Sequence, residues 1–93
     1  LPEFRVVKSC CNSTSWLFII DKPISRSHIS IFEKSGYTFP AQFIKSGLFY
    51  AKKDSFIATT SFGLAKINAR CGGANCEQIR DEFMQLLTAV EAQ

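Results

Sequence analysis

Residues 76–91 carry the one sustained helical periodicity in this chain. Cys76, Ile79, Phe83, Leu86, Leu87 and Val90 recur at spacings of three and four, and Glu77, Arg80, Asp81, Glu82 and Gln85 cover the other side. Asn75 is a favourable residue for the N-cap, with Gln78 at capping-box spacing. Such a helix has one apolar stripe and must bury it on another layer. The segments ahead of it read as short strands, and no second segment offers a crossover helix. The expected class is therefore α+β: a mainly antiparallel β-sheet or small partly open barrel of six or seven short strands, then one amphipathic C-terminal helix.

The strands are marked by β-branched and aromatic residues between turn residues. Arg5–Cys11 is the first, and Asn12-Ser13-Thr14-Ser15 is a turn. Trp16–Ile20 is apolar at every position, which predicts a central strand covered on both faces. His28–Phe32 alternates and reads as a strand, with His28 at its end near the surface. Tyr37–Phe39 is a short edge strand stopped by Pro40, and Gln42–Lys45 another short strand. The clearest pattern is a meander of Leu48–Lys52, Ser55–Phe62 and Ala65–Cys71. In its last strand Ala65, Ile67, Ala69 and Cys71 face inward, while Lys66, Asn68 and Arg70 face solvent. This element order resembles the pleckstrin-homology-like superfold, seven strands and a helix, and the polo-box fold, six strands and a helix. The likeness is of element order alone. With 93 residues the chain makes one domain, 1–93. Leu1-Pro2-Glu3-Phe4 is set aside as a disordered or cloning-derived end that carries no weight for function.

Several function classes lack their parts. There is one His and no carboxylate cluster, so neither a catalytic triad nor a paired-carboxylate mechanism can be assembled, and no enzyme activity is expected. No cofactor is implied. The longest apolar run, Trp16–Ile20, is far below the ~20 residues of a membrane helix.

The net charge of +3 divides unevenly. Residues 1–73 hold ten Lys or Arg against four Asp or Glu, and residues 74–93 hold one Arg against four acids. The sheet is basic and the helix acidic. Lys45, Lys52, Lys53, Lys66 and Arg70 cluster in the meander region, beside Phe49 and Tyr50. These seven residues are the candidate partner-binding set. The cations would supply electrostatic complementarity, and Phe49 or Tyr50 an aromatic anchor. The expected function is a protein-interaction module for a peptide or partner protein, self-association into a homodimer included. The alternative is an anionic-ligand binder, for a phosphoinositide or a single-stranded nucleic acid. The competing structural account is a core of Phe with lysines guarding edge strands.

The four cysteines allow several outcomes. Cys71-Gly72-Gly73-Ala74-Asn75-Cys76 places two thiols around a glycine turn into a helix N-terminus. Reduced, buried thiols in an intracellular chain are the favoured expectation. Against it stand a Cys71–Cys76 disulfide, a reactive Cys76, and a four-thiolate zinc site with Cys10 and Cys11, whose spacing is poor for metal. The same glycine turn could hold a phosphate. Asn12-Ser13-Thr14 is a glycosylation acceptor.

Overall fold

The structure, a computed structural model, describes residues 2–93. Strands β1 (Glu3–Cys10) and β2 (Ser13–Ile19) form a hairpin, and β3 (Leu48–Lys53), β4 (Phe56–Ser61) and β5 (Lys66–Gly72) form the meander. All pairings are antiparallel, and the order across the sheet is β1-β2-β5-β4-β3. Five strands form where six or seven are expected, and the sheet stays open, with β1 and β3 as its edges.

Two segments read as strands are helical. A 3-10 turn, Arg26–His28, runs into α1 (Ile29–Glu33). The Ile29/Ile31 alternation competes there with an i, i+3 pair, and the pair prevails: Ile29 and Phe32 are buried while Ile31 is only half-buried. Residues of the other strand form α2 (Ala41–Lys45). Pro40 acts as its entry residue, and Gly47, at φ +80°, lies just past its end. Tyr37–Phe39 contributes one bridge, Thr38 opposite Lys52.

The helix α3 (Cys76–Glu91) spans the expected residues. Asn75 sits at its N-cap without a side-chain cap bond. The helix entry is tied covalently instead, by a Cys71–Cys76 disulfide with Cα atoms 5.8 Å apart. Favoured reduced thiols are thereby corrected for this pair. The two cysteines are five positions apart, and the glycine turn returns the chain on itself, a proximity that composition does not reveal.

α1 and α3 pack on the same face of the sheet, and the core lies between. Ala51, Ala58 and Ala69 stand opposite one another on β3, β4 and β5, making a shallow trough. Phe18 and Phe56 lie on either side of it, and Phe83 of α3 meets both, with centroids 5.1 and 5.3 Å away. Phe32 of α1 joins the cluster, 5.5 Å from Phe83 and 5.2 Å from Phe49. The first residues also belong to the fold, contrary to expectation. Pro2 is buried, Glu3 and Phe4 open β1, and Phe4 packs 5.9 Å from Phe18 beneath the Arg80 guanidinium. Leu1 lies outside the described residues.

Candidate functional site

Helices α1 and α3 cover one face of the sheet, and α2 touches the other only at its β3 edge, where Phe43 stacks on Tyr50. The register assigns the other face row by row, since directly opposed residues share a face. One row runs Lys8, Ser15, Arg70, Ile57, Lys52 across all five strands. The next runs Arg5, Leu17, Asn68, Thr59, Tyr50. A third begins Glu3, Ile19, Lys66. Arg5, Lys8, Lys52, Lys66 and Arg70 are all exposed, while Leu17, Ile19, Tyr50 and Ile57 are half-buried. Between the first two rows lies an open groove of about 320 Å³, lined among others by Val7, Tyr50, Ile57, Asn68 and Arg70.

Lys66, Asn68 and Arg70 of the central strand β5 run down the middle of this face, half-buried Leu17 and Ile57 flank them on β2 and β4, and Arg5, Lys8 and Lys52 stand on the edge strands. The acids Glu77, Asp81, Glu82 and Glu91 lie on α3, packed against the opposite face. These acids lie across the sheet from Arg5, Lys8, Lys52, Lys66 and Arg70, while Glu3 stands on the cationic face and Lys53 on the side of α3.

The candidate residues separate into three groups. Tyr50, Lys52, Lys66 and Arg70 share the uncovered face. Tyr50 stacks on Phe43 of α2, with centroids 4.6 Å apart, so its ring is held in place. Lys45 is exposed on α2 beside it. Phe49 and Lys53 belong to the covered side. Phe49 is fully buried among Phe32, Phe39 and Phe62 and cannot anchor a partner. Lys53 donates to the Ser35 carbonyl at 2.9 Å, pairs with Glu82 at 3.2 Å and lies over the Tyr37 ring. Odd positions of β3 point to the core and even ones away from it, so adjacent residues in the candidate set part company.

Arg5, Val7 and Lys8 are members of the face that sequence reasoning missed. Simple alternation puts Arg5 and Lys8 on opposite faces. A bulge between Val6 and Lys8 brings both to the same one. Nothing in the sequence marks the bulge. Trp16–Ile20 is likewise not covered on both sides: Trp16, Phe18 and Ile20 are buried, but Leu17 and Ile19 look onto the uncovered face.

The other candidates resolve as follows. His28 is buried rather than near the surface, and its Nδ1 accepts the Ser25 N–H at 3.1 Å. Burial, with Lys22 nearby, lowers its pKa. Among the described residues no cluster of three or more His, Cys, Asp or Glu is placed to hold a metal, and the disulfide occupies two of the four thiols. Among the described residues no helix is long and apolar enough to cross a membrane. Cys10 and Cys11 are exposed free thiols on the β1–β2 turn. No protein-family model, no curated protein and no solved structure matches this chain.

Proposed function

We propose that this chain is a non-catalytic interaction module whose uncovered sheet face docks an acidic segment of a partner protein. One observation carries this: apolar side chains on that face, Leu17 of β2, Ile57 of β4 and Val7 of β1, are interleaved with Arg5, Lys8, Lys52, Lys66 and Arg70. Cations steer and orient an acidic partner, and the apolar groups between them supply contact area once water is displaced. A phosphate-bearing ligand would use the cations and leave the apolar groups between them idle. Stacking of nucleic-acid bases needs free rings, and Tyr50 is already stacked on Phe43. A protein segment with acidic and apolar side chains uses both parts.

The test is fluorescence anisotropy with labelled peptides rich in Asp and Glu and carrying Leu or Phe. Controls are polyglutamate, vesicles containing a phosphoinositide, and a single-stranded oligonucleotide. Binding of the mixed peptide should fall at least tenfold on Arg70→Glu with Lys52→Glu, and also on Ile57→Ser. Equal binding of polyglutamate, vesicles or oligonucleotide, with Ile57→Ser neutral, would replace the proposal by the anionic-ligand alternative. Peptides that fail to bind, with a sedimentation coefficient rising with concentration at low salt, would replace it by self-association, the acidic α3 side of one copy meeting the basic face of another.

A further inference from the structure

All four cysteines stand at one end of the sheet. Cys10 closes β1, and Cys11 and Asn12 make the two-residue turn to β2 at φ +55° and +62°. Such turns demand positive φ and favour Asn and Gly. Asn12 meets that demand, whereas Cys11 has a β-carbon that crowds this conformation. The turn lies against the disulfide: Gly73 donates its N–H to the Asn12 carbonyl at 3.3 Å, and Ser13 stands opposite Gly72. Cys10, Cys11, Cys71 and Cys76 line one open cleft of about 660 Å³.

The two halves of the disulfide differ. Cys71 is buried, and Cys76 is partly open. The Ser55 hydroxyl lies 3.4 Å from the Cys71 sulfur and donates to the Gly72 carbonyl. We propose that Cys11, Cys71 and Cys76 form a thiol–disulfide exchange site, in which the turn thiol opens the Cys71–Cys76 bond; Cys10 lies in register with Ser13 and Gly72, on the face away from Cys71. The thiolate of Cys11 attacks Cys76 Sγ, and a bond forms between those two sulfurs. The Cys71–Cys76 bond breaks, and its electron pair goes to Cys71 Sγ. Cys71 then takes up the proton that the hairpin thiol released, so no external oxidant is consumed. Ser55 is a positioning residue placed to donate its O–H to the departing Cys71 thiolate. The result moves a disulfide from a half-buried position to an exposed turn, where a thiol-bearing protein can reach it.

The test uses the intact monomer with its native disulfide. The protein is held without oxygen at pH 6.5 and 8.5, quenched in acid, alkylated and digested with trypsin. Cys71 and Cys76 fall in one peptide, 71–80, and Cys10 and Cys11 in another, 9–26, because the Lys22–Pro23 bond resists cleavage. The expected product is peptide 71–80 joined to 9–26 within the monomer, with Cys71 alkylated. It should form faster at pH 8.5, since the thiolate is the nucleophile, and several-fold more slowly in Ser55→Ala. Cys71→Ser is a second test: with oxidised glutathione, Cys76 should pair with the hairpin in a monomer whose circular dichroism is native. If 71–80 stays internally bonded at both pH values while the guanidinium-unfolded protein scrambles, the proposal is overturned. A glutathione adduct persisting on Cys76 in Cys71→Ser overturns it too.

Discussion

The ring of Phe83 meets the ring of Phe18 edge-on, with centroids 5.1 Å apart and planes at 65°. This contact joins α3 to the second strand of the sheet, and Phe83 also touches Phe32, Tyr37 and Phe56. Both Phe18 and Phe83 are fully buried. Phe83→Ala should therefore cost about 3–5 kcal/mol, a large share of the ~5–15 kcal/mol that holds a domain of this size. Leu86→Ala, at a half-buried position of the same helix, should cost clearly less. Urea unfolding of the two variants measures both, and equal losses would show that Phe83 is not the centre of the core.

Tyr37 is buried, and its hydroxyl finds no hydrogen-bond partner among the described residues. Burial, with Glu82 nearby, raises its pKa well above the ordinary value. The fold thus favours the neutral phenol. Its contribution is complete below the unfolded-state value of 10.0 and is lost as pH rises beyond it. Tyr37→Phe should be neutral or up to about 1 kcal/mol more stable at pH 7, since it removes an unsatisfied polar group. It should also lose less stability than the parent between pH 9 and 11. Lys53 lies over this ring, so the comparison is between variant and parent at each pH. A loss above 1 kcal/mol at pH 7 would mean that the hydroxyl is satisfied.

His28 bears the opposite sign with pH. Its pKa in the fold lies below 6.5, lowered by burial and by Lys22. The unfolded chain takes up the proton first. Stability from this group is full above pH 6.5 and drains away as pH falls toward the folded-state value, by less than ~1.4 kcal/mol per pH unit, the limit for one proton. His28→Asn keeps a side-chain acceptor for the Ser25 N–H but does not titrate there. Between pH 7.5 and 5 it should lose less stability than the parent in denaturant titrations. Parallel losses would place the acid sensitivity in the carboxylates.

What could be read from the residues depended on how many elements each pattern needed. The α3 stripe and the 66–71 alternation are carried by one element and one period, and both formed as expected. Helices α1 and α2 are five residues each, too short for a period to declare itself, and they hold their shape through Phe32, Phe43 and the chain around them. The uncovered face is a property of five strands together. Its meander half, Tyr50, Lys52, Lys66 and Arg70, follows from alternation. Its β1 half depends on a bulge, and the loss of Phe49 and Lys53 depends on where the helices dock.

The row Lys8–Ser15–Arg70–Ile57–Lys52 sets a cation on every second strand. With strands ~4.8 Å apart, neighbouring cations stand ~10 Å from each other, close to the screening length at moderate salt. Like charges so placed repel, and an arrangement built for stability alone would interleave acids. Arg70, at the centre of the row, is exposed, and no ion pair is seen for it among the described residues. Arg70→Gln should leave stability unchanged or raise it by a few tenths of a kcal/mol at 10 mM salt, a difference that vanishes at 0.5 M. The same substitution should weaken binding of the acidic peptides. That combination, stability kept and binding lost, is the mark of a side chain retained for recognition. A destabilisation above 1 kcal/mol at low salt would instead make Arg70 part of what holds the sheet together, and would remove the centre of the proposed docking face.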